Sequence, residues 1–343
     1  MTMDWKKTAK EWMLPISMTA GAALYLAYYF MPAVHPAGPV LERGVRIVQP
    51  LIIFAMLFLT FCRIEPKDLK PHRWHWWLLL IQGGSFTLAG AAILLIKRFL
   101  PGSEGAIVLI ESAMLCLICP TATAAAVVTK KLGGDVAGIT TYTILINLLT
   151  AAIVPAIVPL IQPSAGTDFF TAFCMILSKV FPLLILPCFC AWLVRYLLPR
   201  LHRKLAAKAD LAFYIWAVGL CLAIVVTTKA IVHSTMGIGL LLSIAAVSLA
   251  SCIVQFWLGH VAGGFYDKVR KGPSMLRSRE ITCGQSLGQK NTVFAIWMGY
   301  TFLTPETSIA GGLYSIWHNL YNSWQIHQAE KAYNTETDNN TTI

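Results

Sequence analysis

Apolar residues fill long uninterrupted blocks of this chain, and short polar or basic segments separate them. Ten blocks stand out, over about 12–31, 44–62, 76–96, 106–128, 138–161, 171–197, 211–232, 236–258, 281–303 and 307–325. Most come close to the roughly 20 residues that a helix needs to cross a bilayer core. None alternates with a period of two, as the roughly ten-residue strands of a membrane barrel do. The pattern predicts an all-α polytopic membrane protein with ten transmembrane helices.

The weak point at 162–168 leaves five blocks on either side. An odd number makes the second set enter the membrane from the opposite face, so the halves read as two inverted repeats. The expected units are residues 1–165 and 166–333. A polar, Asn/Thr-rich tail over 334–343 follows, for which composition favours disorder. The fourth block of each half is interrupted. Block 4 carries Cys119-Pro120-Thr121-Ala122-Thr123, and proline removes a helix donor and crowds the preceding turn. Block 9 carries Gly284 and Gly288 among Gln285, Ser286, Gln289, Lys290, Asn291 and Thr292. Broken helices at matching positions of two halves point to a midplane binding site.

Charged residues make up 13% of the chain, against about 25% in a soluble domain. The net charge of +11 could suit nucleic acid, but its distribution argues for a lipid bilayer instead. Twenty of the 27 basic residues fall in segments on one side of the expected membrane and five on the other. The positive-inside rule then places both termini in the cytoplasm, in a plasma membrane (the inner membrane of a bacterium). Met1 to Glu11 is polar and lacks a short apolar core with a cleavage site, so no removable signal peptide is expected. The nine cysteines lie in or beside apolar blocks and read as packing residues. Trp74, Trp76 and Trp77 read as interfacial anchors.

Two charges remain inside blocks, Lys179 and Lys290. A charge at the middle of a span costs about 2.5–3.5 kcal/mol on insertion scales, so it faces a cavity or a partner. Lys290 is too deep for easy snorkelling. It can act as a fixed cation, titrate, or attract an anionic solute, and Asn291 and Thr292 beside it can bond a carboxylate or sulfonate. Glu111, the one acid within a block, is either a helix-end carboxylate or a partner for Lys290 or a proton. Lys179, near Pro182, reads as structural, and His318 as a packed histidine ahead of a proton relay. Cys116-x-x-Cys119 lies on a membrane helix without a redox-domain pattern. Nucleotide loops, metal clusters and paired carboxylates do not occur, so an enzyme is not expected.

Several stretches resemble the bile acid:sodium symporter family. Cys119-Pro120-Thr121-Ala122-Thr123-Ala124, leading to Gly134-Asp135-Val136-Ala137, is similar to its Cys-Pro-Gly-Gly-Thr-Ala … Gly-Asp-Val-Ala. Leu59-Thr60-Phe61 with Pro66-Lys67-Asp68-Leu69 resembles its signature after span 2. Gly288-Gln289-Lys290-Asn291-Thr292 resembles its Gly-Met-Gln-Asn-Ser, and Ser315-Ile316-Trp317-His318-Asn319 its Ser-Val-Trp-His-Asn. The resemblance implies a core and a panel domain, helices 4 and 9 crossing at their breaks, and alternating access for organic anions with sodium. The departures bear on the sodium. The family's Ser-Asn pair aligns with Ala125 and Ala126, a hydroxyl with Ile139, a shared glutamate with Ser286 and a glutamine with Lys290. Thr143 retains a hydroxyl, and Gln82 aligns with a span-3 glutamine. The expectation is an atypical, sodium-independent carrier of a small or bile-acid-like organic anion. Its pathway is expected to draw on Lys290, Asn291, Thr292, Gln289, Ser286, Thr121, Thr123, Gln82, Thr143, Glu111 and His318, with no metal and no cofactor. An ordinary sodium symporter and a non-cycling sensor are the alternatives, and nothing in the sequence sets an oligomeric state.

Overall fold

The computed structural model describes residues 13–163, 166–269 and 276–341. The polar N-terminal stretch, the 164–165 junction between the expected halves and the basic loop at 270–275 lie outside the described residues.

The chain runs through α1 (Met13–Phe30), α2 (Gly38–Phe61), α3 (Arg73–Phe99), α4 (Glu104–Ile118), α5 (Ala125–Lys131), α6 (Val136–Ile161) and α7 (Phe169–Leu184). It continues through α8 (Leu186–Leu197), α9 (Pro199–Ala207), α10 (Ala209–His233), α11 (Ile238–Val269), α12 (Leu276–Gly288), α13 (Thr292–Phe302) and α14 (Thr307–Thr341). Among the described residues there is no strand, only one isolated bridge. Among the described residues, six helical stretches are long and apolar enough to cross a membrane: Pro32–Phe61, Arg73–Phe99, Val136–Ile161, Phe169–Leu197, Leu211–His233 and Ile238–Tyr266. The other four apolar blocks lie on shorter, interrupted or partly polar helices. Blocks 4 and 9 are cut into α4/α5 and α12/α13, and α14 buries polar side chains such as Ser315, His318 and Asn322.

The helix ends have local causes. Cys119 has ψ 134° because the following proline disfavours the helical region, and α4 stops at Ile118. Asp135 caps α6 by accepting from Gly138 N at 3.0 Å. Asp168 caps α7 by accepting from the backbone and hydroxyl of Thr171, which holds its carboxyl below the usual range. Asn291 caps α13 by accepting from Phe294 N at 3.2 Å. The backbone of α14 stays helical to Thr341, into the polar tail whose composition favours disorder.

The main core joins α2, α3, α4, α6, α7, α10 and α13 through Ile53, Leu57, Phe86, Met114, Val154, Val180, Leu220 and Phe294. Large apolar side chains such as Leu51, Leu88, Phe170, Val218 and Trp257 remain exposed. So much exposed apolar surface on several helices suits contact with lipid rather than water.

Block 9 breaks just after its second glycine. Gly284 and Gly288 lie inside α12, and the break begins at Gln289. They serve close packing against α11, whose own Gly259 and Gly263 share the same four-residue spacing. A Cβ at Gly259 would lie 2.4 Å from Cys283 O, and one at Gly288 2.4 Å from the Phe256 ring. Small residues at this spacing let membrane helices approach backbone to backbone. Trp74 also departs from expectation: it is buried and stacked on His75 with ring centroids 3.7 Å apart, while Trp76 and Trp77 are exposed.

Candidate functional site

The two interruptions meet. Between α4 and α5 the chain is extended through Pro120 and Thr121; between α12 and α13 it is extended through Gln289 and Lys290. Thr121 and Lys290 form an antiparallel bridge. Its bonds are Ala122 N to Gln289 O at 2.9 Å and Asn291 N to Pro120 O at 2.8 Å. The Thr121 hydroxyl adds a bond to Ser286 O at 2.8 Å. Each break therefore satisfies backbone groups that the other has freed, which a membrane interior demands.

Gln82 supports the crossing from α3. Its Nε2 donates to Ile118 O at 3.0 Å and Cys119 O at 2.9 Å, the carbonyls left open where α4 ends. Tyr142 on α6 fixes the amide by donating to Gln82 Oε1 at 2.8 Å. On the far side, Tyr314 donates to Gly288 O at 2.8 Å, and Gln255 donates to Cys116 O at 3.1 Å. Tyr142, Tyr314 and Gln255 went unread in the sequence. Their only signal was a polar group within an apolar block.

Lys290 lies at the centre and is 1% exposed. Its Nζ donates to Leu117 O at 3.2 Å. No carboxylate lies within ion-pair distance of it among the described residues. Beside it is a small cleft of about 30 Å³, lined by Thr123, Gln289, Lys290, Asn291, Thr292 and His318. Met56 of α2, Trp216 of α10 and Asn319 of α14 also face the cleft, and none of the three was anticipated. Three polar atoms of this set have no partner within the protein: Gln289 Oε1, Asn291 Nδ2 and His318 Nδ1. His318 Nε2 is held 2.8 Å from Asn319 Nδ2. The arrangement offers a cation and an amide donor beside unpaired acceptors at one small opening.

Other expected residues fall elsewhere or turn inward. The Thr143 hydroxyl donates to Ile139 O at 2.9 Å and the Ser286 hydroxyl to Thr282 O at 2.7 Å, both within their own helices. Thr292 reaches across to Ser315 Oγ at 3.2 Å. Glu111 is not paired with Lys290. It is fully buried near the other ends of α6 and α13, accepting from Gln162 Nε2 at 2.6 Å and Thr304 N at 3.1 Å. Lys179 stands over the Phe302 ring, 5.6 Å from its centroid, a structural contact. All nine cysteines are free.

The fold and this site define a multi-pass helical membrane protein organised around two crossed, broken helices. Residues 15–329 match the SBF-like CPA transporter family, and the chain belongs to that family. The resemblance to bile acid:sodium symporters read in the sequence holds at this level. The family is one of membrane transporters rather than enzymes. No curated protein matches the chain.

Proposed function

We propose that the protein is a secondary transporter for an organic anion, with the solute bound at the helix crossing and Lys290 supplying the positive charge that sodium supplies elsewhere in the wider family. The observation that carries this reading is a buried lysine beside a cleft, with no carboxylate within ion-pair distance among the described residues. A charge so placed needs an anion, and the nearby Asn291 Nδ2 is a free donor for one. The cavity beside Lys290 is about 30 Å³, room for little more than water, so the crossing must widen to admit a solute, and a small carboxylate or sulfonate asks less widening than a sterol-sized one.

The residues present do not fit sodium. Ala125, Ala126 and Ile139 bring no side-chain oxygen. The carbonyls of Ile118 and Cys119 are occupied by Gln82, and an ammonium already sits against Leu117 O. No step is therefore assigned to sodium.

Alternating access is supported by the way α2 and α10 flank the crossing. Met56 and Trp216 line the cleft towards one end of these helices. Towards the other end, Lys229 of α10 bonds Glu42 of α2 and lies against Tyr300 of α13. A narrow cleft thus reaches the crossing on one side, while the other side is tied. In this reading the chain crosses the bilayer ten times, as inverted repeats over 1–165 and 166–333, with α2 and α10 in a panel and the crossing in a core. Both termini face the cytoplasm.

The test is thermal stabilisation of the purified protein by a panel of organic anions, in sodium buffer and in sodium-free buffer. A ligand at about 100 times its Kd stabilises by about 2.7 kcal/mol. Equal shifts in the two buffers are expected. Shifts that need sodium would restore an ordinary symporter, and binding without flux in liposomes would mark a sensor.

A further inference from the structure

Two polar stripes face each other beside the crossing. Gln285 lies on α12 and Gln289 follows four residues later, just past its end; on α14, Ser315, His318, Asn322 and Gln325 recur at helical spacing. The stripes are bonded together. Gln285 Nε2 donates to Asn322 Oδ1 at 3.0 Å and to Gln325 Oε1 at 2.7 Å. At the end away from the crossing, His260 of α11 packs on Gly284, where a Cβ would come 2.7 Å from its ring. Its Nε2 lies 3.3 Å from Tyr321 Oη and 3.5 Å from Gln325 Nε2, and the ring also bonds the backbone of Glu280. Gln285 and Asn322 are more than nine-tenths buried, and Gln285 Oε1 and Asn322 Nδ2 have no partner within the protein. Buried polar atoms of this kind are few in folded proteins, and polar groups within a membrane protein mark routes for ions or protons.

We propose that this seam is a proton-binding site, with His260 taking the proton and the Gln325–Gln285 amide pair linking it to the broken helix. The proposal adds a coupling ion to the transporter reading and rests on that reading only for its place in a transport cycle. The step is simple proton binding. The Nε2 lone pair accepts a proton from water and the imidazole becomes imidazolium; no other covalent bond changes. Nε2 then donates instead of accepting. Tyr321 Oη at 3.3 Å can accept that bond, but Gln325 Nε2 at 3.5 Å now faces another donor; turning the Gln325 amide relieves this contact and withdraws Oε1 from Gln285 Nε2. Gln285 loses one of its two acceptors one turn before Gln289, where the helix breaks. Among the described residues, the titratable and charged groups around His260 are Glu280 on α12 and Tyr321 on α14; Arg279, also on α12, is held over the Tyr266 ring at 5.1 Å. Histidine is the side chain whose ordinary titration falls between about pH 5 and 8.

The test is amide hydrogen exchange of the 284–293 segment, read by mass spectrometry on the full chain in phosphatidylethanolamine/phosphatidylglycerol nanodiscs. After correction for the chemical exchange rate, this segment is expected to exchange about threefold faster or more at about pH 5.5 than at about pH 7.5. His260→Gln should stay at the slow, higher-pH rate throughout. Gln325→Leu, which keeps the histidine and cuts the link, should also be flat. His327→Gln, an exposed histidine on the same helix, should respond like the wild type. A flat wild type, or an unchanged response in His260→Gln, overturns the proposal. Should His260→Gln fail to fold, His260→Asn and Gln325→Leu decide it. No solute is present, so failure of anion binding and failure of the proton site are separately visible.

Discussion

At the scale of single residues, the site separates a side chain that holds charge from one that holds backbone. Lys290 has one carbonyl partner and an adjoining opening. Lys290→Met keeps the volume and removes the charge. The expected outcome is a folded protein whose affinity for a stabilising organic anion falls tenfold or more, about 1.4 kcal/mol, in a thermal-shift titration. Gln82 is different, because it contacts no cleft and closes two carbonyls. Gln82→Leu leaves the buried Cys119 carbonyl without its donor, at about 1–3 kcal/mol, and Ile118 O with only the Thr150 hydroxyl at 3.2 Å. That variant should unfold at clearly lower temperature whether or not an anion is present. Lys290 was legible in the sequence because a charge inside an apolar block is conspicuous. The role of Gln82 was not, because an amide 36 residues from the carbonyls it serves leaves no local trace.

At the scale of elements, two kinds of interruption that look alike in sequence do different work. Pro120 ends α4 through its ring and missing donor. Gly284 lies inside α12 and Gly288 is its last residue, and both let α11 and α12 touch. Gly288→Ala would set a methyl 2.4 Å from the Phe256 ring, and such overpacking costs about 1–3 kcal/mol. Gly44, on α2, has open space around its Cβ position. Gly44→Ala should therefore be neutral or stabilising by up to about 1 kcal/mol, as in an exposed helix interior. Melting curves of the two variants should move in opposite directions. The sequence marked the interruption but not the packing role, because glycine weakens a helix and also permits close approach, and only the neighbouring helix shows the second. Trp74 failed for a related reason: a tryptophan at the start of a span can anchor in the interface or stack inward, and His75 and Tyr142 draw it inward.

At the scale of the whole molecule, ten crossings require the 162–168 connection and the C-terminus to face opposite sides. Alkaline phosphatase fused after Gln162 should be active, and a fluorescent protein fused at the C-terminus should be fluorescent and inaccessible from outside. The reverse pattern, or the same side for both, would remove the inverted-repeat reading. The pair between Lys229 and Glu42 belongs to this scale because it ties α10 to α2. Their side chains are 29% and 48% exposed, so Lys229→Met should cost under about 1 kcal/mol of stability. Its larger effect is expected on access: a thiol introduced beside the crossing should label faster from the untied side.

The sequence by itself determined the solvent and the class. Blocks of about 20 apolar residues are satisfied only as helices in lipid, the motifs along them place the chain in its transporter family, and a proline or a polar cluster inside a block marks where a helix is interrupted. Only the tertiary structure decided what the interruptions meet. It joined residues more than 160 positions apart into one bridge, turned Thr143 and Ser286 back onto their own helices, and carried Glu111 away from Lys290 to the ends of α6 and α13. The reason is physical: hydropathy is a property of each segment alone, whereas a freed carbonyl or a buried charge is satisfied by whichever neighbour packing brings within about 3 Å.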